Sequence, residues 1–248
     1  MKITEQVAIV TGGGSGLGRA MATGLAREGA RIVIAEVREE NSKQVKDEIQ
    51  SAGGTAEVFA GDLSQERVAQ QLIEFCVQKF GRLDILINNA GLRMEVHPDG
   101  VYEEWRCLRQ RPTHEVPVND WDLVIAVNLR AVYLCTHFAL PHMIRQKHGM
   151  IVGISSNAGS AGVAGKCAYV ASKHGVEGLM KTVAAEMKEY GISANAIHPG
   201  GRVNVDGRGG QSADVVVPLV LHLANQEQPG LTGKVIKAKD WNDGKRDF

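Results

Sequence analysis

Two side chains four positions apart carry the most recognisable chemistry in this sequence of 248 residues. Tyr169 and Lys173 stand at i and i+4 in a stretch with helical periodicity, which places phenol and ammonium on one helix face. An unperturbed tyrosine has a pKa of about 10, too high for a base at neutral pH, but a neighbouring cation favours the phenolate. The pair is therefore a candidate general acid/base, although the same spacing also occurs on ordinary helix surfaces.

A hydroxyl upstream of that pair supports the catalytic interpretation. Ser156 follows the apolar run Met150–Ile154, which has the length and composition of a buried strand. A hydroxyl at the end of such a strand could hydrogen-bond a substrate oxygen beside Tyr169. The surrounding residues lack the G-x-S-x-G pattern of hydrolases, so we interpret Ser156 as a polarising group and not as a nucleophile.

A glycine-rich turn near the N-terminus is typical of phosphate binding. Residues 11–18, Thr-Gly-Gly-Gly-Ser-Gly-Leu-Gly, lie between the apolar run Val7–Val10 and a helical segment. Glycines there permit a tight turn and a close approach of the backbone to a pyrophosphate, beside the N–H groups of a helix N-terminus. A glycine-rich stretch alone could be a plain turn, but its place between strand and helix favours a dinucleotide site. The residues assigned to this site are Gly12, Ser15, Gly16, Leu17 and Gly18.

Glu36 bears on which dinucleotide binds. It ends the second apolar run, 18 residues after Gly18, where an acid can accept hydrogen bonds from the adenosine ribose and would repel a 2′-phosphate. Arg38 favours NADP instead, because a guanidinium could bind that phosphate. Ser15 adds no positive charge, so the sequence predicts NAD, with NADP as the alternative. A solvated acid without a binding role is the other interpretation of Glu36.

Short apolar runs alternate with amphipathic segments along most of the chain. The predicted strands are Val7–Val10, Arg31–Ala35, Ala56–Ala60, Leu83–Ile87, Met150–Ile154, Ile192–Ile197 and Lys234–Ala238. The predicted helices run to Glu28 after the glycine turn and over 39–50, 64–80, 119–146, 165–190 and 213–224. Strands that are apolar on both faces and joined by helices indicate a doubly wound parallel α/β sheet. No linker divides the chain, so we predict one domain over residues 1–248.

Composition and charge exclude several classes of protein. Lys plus Arg and Asp plus Glu both number 28, and this zero net charge argues against nucleic acid or an anionic membrane as partners. Four scattered cysteines indicate reduced thiols, and no run reaches the ~18 apolar residues of a membrane span. His97, Cys107 and His114 match no metal-ligand spacing, so no metal is predicted. The N-terminus lacks the apolar core of a signal peptide, so we expect a cytoplasmic protein.

In this order and on these elements, the motifs resemble those of the short-chain dehydrogenase/reductase family over essentially the whole chain. The segments that carry the resemblance are Thr11–Gly18, Gly61–Leu63, Asn88–Gly91, Asn128, Ser156, Tyr169-x-x-x-Lys173 and Pro199–Gly200. The resemblance implies a Rossmann-type sheet of about seven strands with helices on both faces, and a nicotinamide cofactor. It also implies hydride transfer between a secondary alcohol and a carbonyl, in a homotetramer or, as the alternative, a dimer.

The resemblance also implies a role for each matching residue. Tyr169 would be the general acid/base, and Ser156 would position and polarise the substrate oxygen. Lys173 would lower the pKa of Tyr169 and bind the nicotinamide ribose, while Asn128 would hold a water linking Lys173 to solvent. The remaining cofactor contacts would be Asp62 to the adenine amino group, Asn89 to the adenosine-side ribose, and Leu63, Gly91, Pro199 and Gly200.

Two segments depart from the family pattern. Residues 92–119 are longer than the family usually needs and are expected to form an inserted loop. Residues 199–212 are shorter than the usual substrate lid. We hypothesise that the insertion replaces part of the lid and brings Trp105, Tyr102, His97 or an arginine toward the substrate. A surface excursion without contact to the site is the alternative.

Three functions remain open on the sequence alone. The first is an NAD(H)-dependent oxidoreductase acting on a secondary alcohol or ketone, with Tyr169 as general acid/base. The second is an NADPH-dependent carbonyl or 3-oxoacyl reductase that uses Arg38. The third is a catalytically silent nucleotide-sensing or scaffold protein, against which the intact Ser156, Tyr169 and Lys173 argue.

Overall fold

The apolar runs of the sequence pair into a parallel sheet at the centre of the molecule. The strands are β1 (Val7–Thr11), β2 (Arg31–Glu36), β3 (Thr55–Ala60), β4 (Ile85–Asn88), β5 (Arg93–Glu95), β6 (Cys107–Arg109), β7 (Gly149–Ile154), β8 (Ile192–His198) and β9 (Val235–Lys237). Within residues 2–95, 107–204, 209–227 and 229–246, which this computed structural model describes, seven strands pair in the order β3-β2-β1-β4-β7-β8-β9. All neighbours run parallel, and β5 pairs with β6 outside this sheet.

Helices form the connections between the strands of the main sheet. They are α1 (Gly16–Arg27), α2 (Glu39–Ser51), α3 (Glu66–Phe80), α4 (Val118–Ile125), α5 (Ala131–Gln146), α6 (Cys167–Met187) and α7 (Val217–Asn225), whereas α8 (Ala238–Asn242) follows β9. A π-helical turn, Ala126–Arg130, joins α4 to α5 into one continuous helix. The predicted strands and long helices are all present; α8, β5 and β6 were not predicted.

Alternate strand residues face two separate hydrophobic cores, because successive strand side chains point to opposite faces of a sheet. Ala8 and Val10 pack on the side covered by α1, α2 and α7. Val7 and Ile9 pack on the side covered by α3, α5 and α6. Both faces of β1 are therefore buried. The predicted α/β doubly wound sheet is confirmed.

The strand order places a binding crevice at one edge of this sheet. The chain moves outward from β1 to β3 and then returns to β4 on the other side of β1. At such a switch point the loops that leave neighbouring strands diverge and open a crevice at the carboxyl ends. The glycine turn follows β1, Glu36 ends β2, and Asn89 follows β4. All three therefore lie at the same edge as Ser156, which follows β7.

The continuous helix Val118–Gln146 is long and apolar enough, by length and composition alone, to cross a membrane. In this fold its inner side packs against the sheet. Cys135, Ala139 and Met143 are buried in the core shared with α3 and α6. We therefore assign its apolar character to the hydrophobic core.

The cysteines of the described residues are free thiols: Cys76, Cys135 and Cys167. Burial raises the pKa of Cys76 and of Cys135 to about 12. Since the thiolate is the reactive form, both are inert packing residues at neutral pH. The side chain of Cys107 lies outside the described residues.

Candidate active site

A cleft of about 1310 Å³ runs along the carboxyl edge of the sheet. The predicted residues that line it are Gly12, Ser15, Gly16, Leu17, Glu36, Asp62, Leu63, Asn89, Gly91, Ser156, Tyr169, Lys173 and Pro199. Gly18, Asn128 and Gly200 do not line it. The sequence motifs, which are spread over most of the chain, thus meet at one place.

The glycine turn brings α1 unusually close to the end of β1. Gly12 has a φ of +63°, in the left-handed region that residues with a Cβ seldom adopt. A Cβ on Gly18 would collide with the carbonyl oxygen of Gly12 and lie 2.6 Å from Nδ2 of Asn89. Gly18 is therefore needed for the packing of helix on turn, which explains why it lies behind the cleft wall.

The N-terminus of α1 offers a site for an anion. Ser15 precedes the helix in an extended conformation, and its side chain makes no capping hydrogen bond. The first turn of α1 carries no acidic residue, so the positive end of the helix is not neutralised. Ser15, Gly16 and Leu17 line the cleft. Their position fits a pyrophosphate held by backbone N–H groups.

Asn89 fastens the glycine turn to the end of β4. Its Nδ2 donates to the carbonyl oxygens of Thr11 (3.0 Å) and Gly12 (3.1 Å). The Thr11 hydroxyl oxygen accepts the backbone N–H groups of Asn89 (2.9 Å) and Ala90 (3.0 Å). Thr11 was not among the predicted site residues, yet it joins the two strands that flank the crevice. Its place directly before the glycines is the signal that could have identified it.

Two carboxylates line the end of the cleft that β2 and β3 form. Glu36 Oε1 accepts the N–H of Val37 at 3.0 Å. Asp62 Oδ1 accepts the N–H of Ser64 at 3.0 Å, just before α3 begins. Arg130 donates to the carbonyl oxygen of Ser64 and so ties the same loop to the π-helical turn. These contacts orient both acids without filling their acceptor capacity.

Lys173, on α6, contacts the last residue of β7. Its Nζ donates to the carbonyl oxygen of Ile154 at 2.7 Å and lies 5.6 Å from the centre of the Tyr169 ring. The predicted shared helix face is therefore present in α6. Burial lowers the pKa of Lys173 from its ordinary value of 10.5 to about 8, because the charged form loses its hydration.

Ser156 lies between the end of β7 and a short 3₁₀ turn. Its backbone is extended, and its Oγ accepts the N–H of Ala158 at 3.3 Å, which caps the turn Asn157–Gly159. Since Oγ only accepts in this contact, its hydrogen can be donated into the cleft. Ser156 and Tyr169 line the same cleft.

Asn128 lies inside the π-helical turn and is completely buried. Its Oδ1 accepts the N–H of Leu92 at 2.7 Å, and its Nδ2 donates to the carbonyl oxygen of Leu92 at 3.0 Å. Nδ2 also lies 3.3 Å from the hydroxyl of Ser172. The side chain therefore joins three parts of the site: the segment after β4, the π-helical turn and α6.

Comparison with known families decides what this arrangement is. Residues 6–211 match the family model described as short chain dehydrogenase. The chain belongs to the short-chain dehydrogenase family. Cyclohexanol dehydrogenase of Acinetobacter sp. (strain SE19) is 36% identical over 199 residues, 80% of this chain and 74% of that protein. A 3-oxoacyl-(acyl-carrier-protein) reductase of Thermotoga maritima is 32% identical over 255 residues, 95% of this chain and 97% of that protein.

A solved structure of the same family agrees in fold. The crystal structure of a metagenomic short-chain oxidoreductase in complex with NADP superposes with a TM-score of 0.81 at 34% identity, covering 96% of this chain and 98% of that one. The predicted family and the predicted reaction class are confirmed. This short-chain dehydrogenase is an NAD(P)-dependent oxidoreductase that acts on alcohol or carbonyl groups.

The ends of segment 92–119 lie beside Tyr169 in this short-chain dehydrogenase. Met94 and Leu108 are buried together, and the partly buried Tyr169 packs against their cluster. Gln110 Nε2 donates to the carbonyl oxygen of Ala164 at 2.6 Å, on the loop that precedes α6. His97, Tyr102 and Trp105, which we expected near the substrate, lie outside the described residues.

Several further residues that line the cleft were not predicted from the sequence. Gln110, Val163, Lys166, Arg202 and Val203 all line the cleft. They come from three separate loops and belong to no local pattern, so nothing in their spacing indicates a site. Only the packing of the loops brings them together.

The described ends of segment 199–212, on either side of residues 205–208, are hydrogen-bonded to each other. The N–H of Asn204 donates to the carbonyl oxygen of Gln211 (2.9 Å), and the N–H of Gln211 donates to that of Arg202 (3.0 Å). Gln211 Nε2 also donates to the carbonyl oxygen of Pro199 at 3.1 Å. Gly200 has its backbone packed against the side chains of Lys237 and Lys239. Pro199 therefore borders the cleft, whereas Gly200 turns away from it.

Proposed function

We propose that this enzyme transfers a hydride between NAD(H) and a secondary alcohol or ketone, with Tyr169 as general acid/base. The observation that carries the proposal is the single cleft in which Ser156, Tyr169 and Lys173 meet the glycine turn and Glu36. Together these residues supply a proton donor, a hydroxyl to polarise the reacting oxygen and a dinucleotide cradle.

The residues along the cleft fit a dinucleotide. The uncapped N-terminus of α1 would hold the pyrophosphate, and Glu36 would accept hydrogen bonds from the adenosine ribose. The adenine would lie toward Asp62 and Leu63, and the nicotinamide toward Pro199. When bound, the nicotinamide supplies the hydride acceptor for oxidation or the hydride donor for reduction.

The chain's own residues handle the proton. In alcohol oxidation, the Tyr169 phenolate accepts the hydroxyl proton as Ser156 donates a hydrogen bond to the same oxygen; reduction reverses both roles. Lys173 stabilises the phenolate by its charge. With a pKa of about 8 it is still protonated at neutral pH, so it can supply that charge there.

Asn128 completes a path for the proton toward solvent. Its side-chain amide is committed to Leu92 and Ser172, so we assign the water that would link Lys173 to solvent to the backbone of the π-helical turn. A π-helical turn loosens the regular helix ladder and is frequent at functional sites. The amide would then keep the turn in this shape.

The preference for NAD(H) rests on Glu36. A carboxylate at the end of β2 accepts ribose hydrogen bonds and repels a 2′-phosphate, whereas Arg38 in the next loop favours one. Fluorescence titration with NADH and NADPH tests this directly. We expect at least roughly tenfold tighter NADH binding, and Glu36→Ala should remove most of the difference. Glu39→Ala, an exposed acid in the same region, is the control; tighter binding of NADPH would contradict the proposal.

The substrate class requires a screen. We propose a screen of cyclic alcohols, beginning with cyclohexanol, together with polyols, hydroxy acids and steroids, read as NADH absorbance. No turnover of any alcohol or matching ketone would contradict the proposed function.

A 3-oxoacyl reductase is the second candidate, because the Thermotoga maritima relative of that name matches nearly the full length of both chains. Reduction of a 3-oxoacyl thioester with NADPH would favour it.

Assembly and location complete the proposal. We propose a single catalytic domain over residues 1–248 that forms homotetramers in the cytoplasm, with a dimer as the alternative. Exposed apolar side chains on the continuous helix support assembly, namely Val118, Trp121 and Tyr133, which are 73%, 37% and 49% exposed. Light scattering coupled to size-exclusion chromatography tests it, and a monomer at micromolar concentration would contradict it.

A further inference from the structure

Helix α6 contacts consecutive residues at the point where β7 ends. Lys173 Nζ donates to the carbonyl oxygen of Ile154 at 2.7 Å. One helical turn further along, Glu177 Oε1 accepts the hydroxyl hydrogen of Ser155 at 2.6 Å. The next residue in the chain is Ser156. The helix that presents the acid/base therefore also holds the two residues directly before the serine.

The pair formed by Ser155 and Glu177 is enclosed. Ser155 is 3% and Glu177 6% exposed, so their hydrogen bond is made away from water. Gly159 lies directly on the pair, since a Cβ at that position would collide with both Glu177 Oε1 and Ser155 Oγ. The 3₁₀ turn that follows Ser156 is thus folded down onto the same carboxylate.

Ser156 itself makes two hydrogen bonds, both to the 3₁₀ turn that follows it. Its Oγ accepts the N–H of Ala158 at 3.3 Å, and its carbonyl oxygen accepts the N–H of Gly159 at 2.8 Å. The sheet restrains the chain up to the preceding residue, where the N–H of Ser155 donates to the carbonyl oxygen of Ile197 at 2.7 Å. Beyond that point, the Ser155–Glu177 hydrogen bond and the contact of Gly159 with it hold the loop on both sides of the serine.

We infer that Glu177 is a positioning residue: by holding Ser155 against α6, it sets the place of the Ser156 hydroxyl relative to Tyr169. The inference rests on the proposed function, in which Ser156 polarises the reacting oxygen. A hydrogen bond to a carboxylate is short and directional, and a buried hydroxyl that lost it would have to move or stay unpaired. Because Ser155 and Ser156 share a peptide bond, a movement of Ser155 also displaces the Ser156 hydroxyl, which would polarise the reacting oxygen.

Substitution of Glu177 tests the inference from the helix side. Glu177→Leu keeps most of the volume and removes the acceptor, whereas Glu177→Gln keeps an acceptor oxygen. With NAD⁺ and the best alcohol of the screen, we expect Glu177→Leu to lower kcat roughly 10- to 100-fold, and Glu177→Gln to stay within about threefold of the parent enzyme. The Kd for NADH should change less than about twofold in both, since the glycine turn is untouched. Glu186→Leu, at an exposed acid on α6, is the control.

Substitution of Gly159 tests it from the loop side. Gly159→Ala pushes the Ser155–Glu177 pair apart without altering either residue, and should reproduce the loss of kcat. Gly162→Ala, in the same loop with nothing within 4 Å of the added Cβ, should not. If Glu177→Leu fails to fold, this pair of glycine variants decides the question.

Rates are expressed per NADH-binding site, so that a merely structural role, which lowers the folded fraction, does not alter kcat. A kcat per site within about twofold of the parent in both Glu177→Leu and Gly159→Ala overturns the inference. Ser156→Ala separates this result from a failure of the proposed function. If Ser156→Ala keeps full kcat, the proposed function and the inference both fall; if only Ser156→Ala loses kcat, the inference alone falls.

Discussion

Lys173 is the residue at which burial and the proposed catalytic role conflict most directly. Its ammonium is withdrawn from water and hydrogen-bonded to the carbonyl oxygen of Ile154, and its pKa falls from 10.5 to about 8. The folded protein therefore binds fewer protons than the unfolded chain between pH 8 and 10.5, and stability rises with pH across this window. The loss of stability caused by burying the charged ammonium is fully present below pH 8 and disappears above pH 10.5.

Lys173→Met should therefore stabilise the cofactor-free protein at pH 7 while abolishing activity. The shift corresponds to at most about 3 kcal/mol in the free energy of unfolding, at ~1.4 kcal/mol per pKa unit, less about 1 kcal/mol for the lost hydrogen bond. Urea unfolding at pH 7 and pH 9.5 measures the difference, which should shrink at the higher pH. Lys181→Met, on the exposed face of α6, is the control; a gain independent of pH would contradict the assigned cause.

Tyr169 gives the sharpest chemical test at the residue scale. Tyr169→Phe removes the hydroxyl that exchanges the proton and keeps the ring that packs against the cluster of Met94 and Leu108. We expect kcat to fall by roughly 10³-fold or more, with the NADH Kd nearly unchanged. Steady-state rates and fluorescence titration measure the two effects. Turnover close to that of the parent enzyme would show that another group is the base.

At the scale of elements, α6 and the loop before it contact different parts of the cleft. The helix presents Tyr169 and Lys173 on one face, and the loop before it meets segment 92–119. Arg111 donates its N–H to the carbonyl oxygen of Gly165 at 3.2 Å, next to the contact of Gln110 with Ala164. Segment 92–119 is thus joined to the start of α6, which favours the proposed role of this segment at the substrate.

Deleting residues 95–115 tests that role. We expect KM for the alcohol to rise about tenfold or more, because Gln110 and the packing against Tyr169 are lost at the substrate end. The Kd for NADH should remain, since the glycine turn and Glu36 lie on the other side of the switch point. Unchanged KM and kcat would identify the segment as a surface excursion. Leu108→Ala, which loosens the insertion without removing it, should give a smaller change in the same direction.

Over the whole molecule, the carboxyl ends and the amino ends of the strands differ in what they hold. The carboxyl edge carries the cleft, whereas the amino edge carries a buried clamp. Asp84 is completely buried there; its carboxylate accepts the N–H of Val7 at 2.9 Å and two hydrogen bonds from Arg82 at 2.7 Å. The hydrogen bond raises the pKa of the Arg82 guanidinium. The clamp ties the starts of β1 and β4 together, directly opposite the crevice.

Asp84→Ala should therefore cost stability and leave the chemistry unchanged. Removing the carboxylate leaves the backbone N–H of Val7 without its acceptor, whereas the Arg82 side chain is 34% exposed and regains water, so the expected loss is about 2 kcal/mol in the free energy of unfolding. Urea unfolding measures this loss, and kcat per NADH-binding site should match the parent enzyme. Asp47→Ala, in the middle of the exposed face of α2, is the control. A large loss of kcat per folded site would contradict this separation of the two edges.

The sequence alone determined the alternating elements, the glycine turn and the roles proposed for Ser156, Tyr169 and Lys173. These follow from local patterns: strand runs, helical spacing, and residues placed where a strand ends. Tertiary structure decided which distant residues meet. Glu177 reaches Ser155 across 22 positions, and Asn128 reaches Leu92 across 36. Such contacts depend on strand order and on helix packing against the sheet, and no periodicity along the chain encodes them.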